Sequence, residues 1–264
     1  MENNEIKNNI FYIFTMQTSK IDFFSIPIDA LTMEQVTQRI DNCIQKNEHL
    51  QHVVVNSGKV VAMQTDKDLY DSVVSCDLIN ADGQGVVWAA RFLGKYLPER
   101  VTGIDLMQRL ITLAVEKKYT CFFLGAKEEV VVKVVDIYTQ KYGNDLIAGY
   151  RNGYFSADQE AEVAQQIADS KANLLFVAIT SPKKEIFLTT YKDILRSVNF
   201  TMGVGGSFDV IAGVTKRAPL WMQKNGLEWF FRLIQEPRRM WRRYIIGNYQ
   251  FMKLVLKEKR KMNK

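Results

Sequence analysis

Short apolar runs and amphipathic stretches alternate along the chain from about residue 23 to residue 204. The runs at Phe23–Ile28, His52–Val55, Leu78–Asn80, Thr120–Leu124, Leu146–Ala148, Asn173–Ile179 and Asn199–Val204 end in small or polar residues. Continuous runs of this length predict strands buried on both faces, and Thr120–Leu124 reads as the central one. Between them lie stretches with helical spacing. Leu31, Val36, Ile40 and Ile44 share one face of a helix predicted over Leu31–Lys46. Thr32 stands as its N-cap with Gln35 three residues on, the spacing of a capping box. Further helices are predicted over Ser57–Val74, Gly83–Leu93, Asp105–Lys117, Glu128–Lys141 and Ala157–Ser170, and another after Pro182. Strand and helix in strict alternation predict an α/β fold, a Rossmann-like and mostly parallel sheet with helices on both faces.

The pattern fails at both ends. Residues 1–20 are Asn-rich and read as a flexible leader, without the basic start and cleavage site of a secretory signal. The α/β body is expected over residues 21–218. From Pro219 strand signals cease. Trp221, Leu227, Trp229, Phe230, Leu233 and Ile234 alternate with Lys224, Arg232 and Gln235. Beyond Pro237 a run of arginines surrounds Trp241, Tyr244 and Ile245. This predicts a basic helical appendage over residues 219–264. It suits an amphipathic segment lying on an anionic membrane; an ordinary packing helix with a solvated basic face fits the same pattern.

Charge sharpens the division. The 264 residues carry a net +6, but the segment from Lys216 onward holds 14 Lys/Arg and 3 Asp/Glu, a net of +11, which leaves −5 for residues 1–215. With 47% hydrophobic residues the chain has material for a real core, which excludes global disorder. No apolar stretch approaches the ~18 residues of a membrane span. Cys43, Cys76 and Cys121 are odd in number and lack CxxC spacing, which excludes a disulfide framework and suits a reducing compartment. His49 and His52 form H-x-x-H without the Glu of a zincin and read as surface residues leading into a strand, so no metal site is expected.

In a doubly wound sheet, ligands bind beyond the carboxyl ends of the strands. Four segments fall there: Asn56-Ser57-Gly58-Lys59, Ala81-Asp82-Gly83, Ser181-Pro182-Lys183-Lys184-Glu185, and Gly203-Val204-Gly205-Gly206-Ser207-Phe208-Asp209. The glycine turn can cradle a diphosphate or serve as a tight structural turn. Asp82 can take a proton from a sugar hydroxyl or cap the next helix. Arg100 is suited to bidentate phosphate contact; Asp105 opens a helix, where capping is the alternative. There is no GxxxxGK[ST], no intact GxGxxG after the first strand and no GxSxG, which speaks against P-loop NTPases, dinucleotide dehydrogenases and α/β-hydrolases. A nucleotide-dependent oxidoreductase is thereby disfavoured. A non-enzymatic protein gripping membrane or nucleic acid through its tail would not need the acidic body with its glycine turns and Asp82.

Taken in order, Asn56, Ala81-Asp82-Gly83-x-Gly85-Val86-Val87, Leu97-Pro98-Glu99-Arg100-Val101-Thr102-Gly103-x-Asp105-Leu106, Asn152-Gly153-Tyr154-Phe155, Ser181-Pro182-Lys183-x-Glu185, Gly203-Val204-Gly205-Gly206-Ser207-Phe208-Asp209, Lys216-Arg217-Ala218-Pro219, Gly226-Leu227-Glu228-Trp229 and Glu236-Pro237 resemble the motifs of the WecG/TagA/CpsF glycosyltransferases over about residues 21–250. The resemblance implies an inverting enzyme on the cytoplasmic face of a bacterial membrane. It would move N-acetylmannosamine, or a related hexose or uronic acid, from a UDP-sugar to a polyprenyl-diphosphate-linked sugar, in teichoic acid or other surface polysaccharide synthesis. It implies Asp82 as catalytic base. It implies Asn56, Arg100, Thr102, Gly103, Asp105, Pro182, Lys184, Gly205, Gly206, Ser207 and Asp209 as substrate-binding residues, with Arg232, Arg239 and Arg242 completing the site from the appendage. It implies no metal and no cofactor beyond the UDP-sugar, an anionic membrane surface as partner, no nucleic acid, and leaves room for a homo-oligomer. Two positions depart from the family pattern: Val54, where members often carry Thr, and Lys184, where they carry Gln.

Overall fold

A computed structural model describes residues 20–263, apart from the side chains of Arg239 and Arg243. The leader expected over residues 1–20 lies outside the described residues except for Lys20, which begins the first strand.

Six parallel strands form the central sheet: β3 (Leu50–Val55), β4 (Leu78–Ala81), β5 (Cys121–Gly125), β6 (Ile147–Arg151), β7 (Leu174–Ala178) and β8 (Phe200–Gly203), in the order β4-β3-β8-β7-β5-β6. Every residue of β3, β4, β5, β7 and β8 is buried, as expected of strands covered on both faces. On one face, α1 (Met33–Gln45), α5 (Gly103–Lys117) and α6 (Glu128–Tyr142) pack Ile40, Leu110 and Val131 onto Phe123, Phe176 and Met202. On the other face there are two apolar clusters. In one, α2 (Ser57–Ala62), α3 (Lys67–Val74) and α4 (Gln84–Phe92) cover Val53, Val55 and Ile79. In the other, α7 (Glu160–Asp169), α8 (Lys183–Thr190) and α9 (Lys192–Leu195) cover Phe122, Leu175 and Val177.

Local sequence explains much of this. Thr32 caps α1 in the expected capping box with Gln35. The predicted helix over Ser57–Val74 is instead two, because Asp66 accepts from the Leu69 N–H at 2.9 Å and starts α3 afresh. The predicted strand Phe23–Ile28 is a hairpin, β1 (Lys20–Phe23) and β2 (Ile26–Asp29), antiparallel. Phe24 and Ser25 both have positive φ, 56° and 63°, the conformation of a tight hairpin turn. Asp22 Oδ1 fixes it by accepting from the Ser25 N–H at 2.7 Å. Gly125 illustrates how closely the strands' ends approach. At φ 125°, a Cβ there would lie 2.5 Å from the Ala178 carbonyl carbon, so only glycine fits.

Neither histidine is a surface residue. His52 is buried in β3 against Asn80 (3.1 Å), and burial pushes its imidazole down to about 3, so it is neutral. His49 Nδ1 meets the Val198 carbonyl oxygen at 2.6 Å.

The appendage is helical, as expected: α11 (Leu220–Lys224), α12 (Glu228–Gln235), α13 (Pro237–Trp241), a π-helical turn (Arg242–Ile246) and α14 (Gly247–Met262). Its last helix returns to the body. Phe251 and Val255 join the cluster around β3 and β4, with the Phe251 ring 6.4 Å from that of Phe23. Ser57 Oγ donates to Asn248 Oδ1 at 3.2 Å.

A buried charge cluster sits where β3, β7 and β8 end. Lys59 Nζ donates to the Val54 carbonyl oxygen and to Glu185 Oε1, each at 2.7 Å, and Lys184 Nζ reaches the same oxygen at 2.6 Å. The Lys184 stem crosses β8 where Gly203 leaves room; a Cβ there would come within 2.6 Å of Lys184 Cε. Burial pushes the Glu185 carboxyl up, but Lys59 and then Lys184 outweigh it and hold the group down at about 2.

Two outcomes follow. Glu185→Gln should cost about 3–5 kcal/mol in denaturant unfolding, because two buried ammonium groups lose their counter-charge. In the native chain the Glu185 contribution is complete above its ordinary value of 4.5 and is lost as pH falls toward about 2. Acid unfolding followed by circular dichroism should therefore steepen in that window for the native chain and not for the Gln variant. Phe251→Ala should cost about 3 kcal/mol or more, measured the same way; a neutral result would separate α14 from the core.

Candidate active site

The chain leaves β3 toward β4 on one side, while β8 pairs with β3 on the other. The crevice above their carboxyl ends is the place where such sheets bind ligands. Helix α5 points its N-terminus there: Gly103 lies close enough that a Cβ would stand 3.9 Å from both the Gly203 carbonyl oxygen and Val54 Cγ2.

Asp82 follows β4, half-buried, with its N–H donating to the Val55 carbonyl oxygen at 2.8 Å. It does not cap α4; the N-cap is Gly83, with φ 107° and no side-chain cap bond. The capping alternative for Asp82 thus falls away and its carboxylate is left to the crevice. Burial pushes the Asp82 carboxyl above the usual range, and the Glu228 carboxylate adds to this. Arg232, Lys59 and Arg100 pull in the opposite direction without cancelling it. A carboxylate so placed is a better proton acceptor than one in water.

The other expected residues, Arg239 apart, have definite places. Asn56 caps α2, accepting from the Lys59 N–H at 3.0 Å. Thr102 caps α5 and its hydroxyl donates to Asp105 Oδ2 at 2.5 Å. Asp105 Oδ1 in turn accepts from Arg217 Nη2 at 2.6 Å. Pro182 precedes α8, and Lys184 is held in the buried cluster beside it. After β8, Gly205 takes φ 53° with open space where a Cβ would project. Gly206 starts α10 (Ser207–Ile211), Ser207 Oγ donates back to the Val204 carbonyl oxygen at 2.7 Å, and the Asp209 carbonyl oxygen receives the Val214 and Thr215 N–H groups.

Arg100 is ion-paired through Nη1 with Glu228 of α12, while Nη2 donates to the Gln223 carbonyl oxygen at 2.9 Å. Arg232, one turn beyond Glu228, is half-buried and lines a small cavity with Lys216, Arg217 and Glu228. Arg242 stands apart: it is exposed, with its guanidinium over the Trp241 ring at 5.3 Å. The Arg239 side chain lies outside the described residues.

Lys59, Glu185, Arg217 and Glu228 are the site residues that sequence reasoning did not single out. Each lies within or beside a quoted motif, but their pairings span 112 residues or more (Arg217–Asp105, Lys59–Glu185, Arg100–Glu228), and no local spacing predicts such partners. Among the described residues no three His, Cys, Asp or Glu side chains converge as metal ligands. The crevice brings the Asp82 carboxylate near the Arg100–Glu228 pair, Arg232 and Lys59, with an open glycine turn after β8.

The family described as Glycosyl transferase WecG/TagA/CpsF matches residues 21–264. The N-acetylglucosaminyldiphosphoundecaprenol N-acetyl-beta-D-mannosaminyltransferase of Bacillus subtilis (strain 168) is 36% identical over 256 residues, covering 97% of this chain and 92% of its own. The proteins of the same name from Bacillus spizizenii (37% over 200 residues, 75% of each chain) and Staphylococcus aureus strain MW2 (32% over 249 residues, 94% of this chain and 96% of its own) are also similar. Together with the parallel sheet, these matches establish that the chain is a glycosyltransferase belonging to the WecG/TagA/CpsF family.

Proposed function

We propose that the enzyme transfers N-acetylmannosamine, or a related hexose or uronic acid, from a UDP-sugar to a sugar carried on polyprenyl diphosphate, with inversion at the anomeric carbon. The observation that carries the reading is Asp82: one carboxylate at the mouth of the crevice, free of a capping role and pushed toward stronger basicity. Asp82 takes the proton of the acceptor hydroxyl as its oxygen attacks C1 of the donor sugar. The C1–O bond to the diphosphate breaks and UDP departs with the electron pair. A single displacement with a single base inverts the anomeric centre, as in inverting hydrolases.

The leaving group needs positive charge at the moment of cleavage. Arg100 and Arg232, both close enough to act on Asp82 electrostatically, are the donors for that role, so this reading asks for no metal ion. The glycine turn after β8 offers backbone N–H groups and open space to the same diphosphate. The names of the relatives, which specify a diphosphoundecaprenol-linked acceptor, support a lipid-linked acceptor here.

Such an acceptor lives at a membrane surface. No described helix is long and apolar enough to cross a bilayer. The appendage exposes Leu220, Trp221, Ile234, Trp241, Ile245, Tyr249 and Met252, and α4 of the body adds Trp88 and Phe92. Aromatic and aliphatic residues among arginines and lysines suit shallow insertion into an anionic cytoplasmic leaflet. The enzyme would thus be peripheral on the inner face of the membrane and serve teichoic acid or related surface polysaccharide synthesis.

Asp82→Asn should lower transfer from a UDP-sugar to a polyprenyl-diphosphate acceptor by roughly 10²–10⁴-fold, read by mass spectrometry. Its thermal midpoint should stay equal or rise, because a carboxyl with a raised folded-state value is a net cost to the fold when ionised. Wild-type turnover in this variant would remove Asp82 from its role. The acid limb of kcat/KM should lie above the ordinary 3.8 of an aspartate; a limb at or below that value would show that the burial around Asp82 does not govern the base.

A further inference from the structure

The cations of the body beside the crevice already face an anion carried by the appendage. Glu228 pairs with Arg100 Nη1 and shares a cavity of about 30 Å³ with Lys216, Arg217 and Arg232. One half-buried carboxylate thus meets the Arg100 guanidinium on one side and shares its cavity with three basic residues on the other, within electrostatic reach of Asp82. Two features bear on which anion the arrangement can take. Arg100 is also held by the Gln223 carbonyl oxygen, so its fork stays oriented when Glu228 leaves. Arg217 spends Nη2 on Asp105, while its Nε–H is buried and meets no acceptor among the described residues. A buried guanidinium donor without a partner costs free energy, and a phosphate oxygen in the cavity would satisfy it.

We propose that Arg100, Lys216, Arg217 and Arg232 form a diphosphate-binding site whose resting counter-ion is the Glu228 carboxylate, displaced when the diphosphate of a substrate enters. Carboxylate and phosphate oxygens present the same acceptors to a guanidinium fork, and a diphosphate brings more of them and more charge. The exchange keeps the cations paired at rest and selects ligands that out-compete a single carboxylate. Lys216 and Arg217 become substrate-binding residues, and Glu228 becomes a gate on affinity rather than a ligand. The assignment rests on the reading of the donor as a diphosphate compound.

The test is calorimetric titration of the full chain with inorganic pyrophosphate and with UDP. Glu228→Gln keeps the shape of residue 228 and its capacity to hydrogen-bond Arg100 but removes the competing charge. It should bind both probes more tightly, by about tenfold for one charge-assisted contact released. Arg217→Gln, with Glu228 in place, should bind both more weakly by a similar factor. Unchanged or weaker binding by Glu228→Gln overturns the proposal, as does unchanged binding by Arg217→Gln. If UDP binds the wild type and Glu228→Gln equally, the donor reading stands and this inference falls. If Glu228→Gln tightens pyrophosphate while UDP gains nothing over pyrophosphate in either protein, the anion site stands and the nucleotide reading falls.

Discussion

Burying Glu185 with Lys59 and Lys184 strips three charges of water, and the fold tolerates this only while the three stay in contact. That condition constrains everything above it. Lys59 belongs to the first turn after β3, Glu185 and Lys184 to the first turn after β7, and the Lys184 stem must pass over Gly203 at the end of β8. Three strand ends are therefore pinned to one carboxylate oxygen. The loops that leave those strands, with Asn56, Pro182 and the glycine turn, start from fixed positions. On the helical layer that covers this face, the cluster also stands where the two apolar clusters meet. An apolar replacement could be equally stable, but would leave the mouth of the crevice without its fixed positive charge.

The appendage is tied to the body by contacts of two kinds. Phe251 and Val255 contribute apolar area to the cluster around β3 and β4. The pair Arg100–Glu228 contributes charge and direction at the opposite, crevice-facing end, and Arg217–Asp105 fixes the chain just before the appendage begins. Half-exposed ion pairs contribute little to stability by themselves, so apolar docking of α14 holds the appendage while the ion pairs set the posture of α11 and α12 over the site. The posture matters because α12 carries both Glu228 and Arg232, and each acts on Asp82 with opposite sign. A segment whose composition suited a membrane anchor or an ordinary packing helix also forms one wall of the electrostatic environment of Asp82.

Patterns that act over a few residues were legible in the sequence. The capping box at Thr32 and Gln35, the buried strands and the order of elements through the body all follow from local spacing, and so does the change of character at Pro219. The β1–β2 hairpin was not legible, since its turn uses Phe24 and Ser25 in a conformation normally signalled by Asn-Gly. The break in the predicted helix over Ser57–Val74 depends on whether Asp66 caps or merely decorates a helix, and spacing alone does not separate these. His52 reads as polar and exposed but is buried, because its partner Asn80 lies on a neighbouring strand. The crevice shows the same division. Asp82 and the glycine turn announce themselves by position after apolar runs, whereas Glu228, Arg217 and Lys59 gain meaning only through partners far along the chain.

The electrostatics of Asp82 join these threads. Its neighbours include two cations of the body, Lys59 and Arg100, and one anion and one cation of the appendage, Glu228 and Arg232. Each would act on proton uptake at a different stage. At rest, burial and Glu228 favour the neutral acid, and the cations limit the effect. In the proposed reaction, a diphosphate entering among the arginines would replace one carboxylate with a larger negative charge and raise the proton affinity of Asp82 further. Asp82 would then be the strongest base when both the acceptor hydroxyl and the leaving group are in place. Departure of the proposed UDP leaving group would carry that negative charge away and make the proton on Asp82 easier to release to solvent. On that proposal, substrate binding, basicity and product release depend on one set of charges, half supplied by the body and half by the appendage.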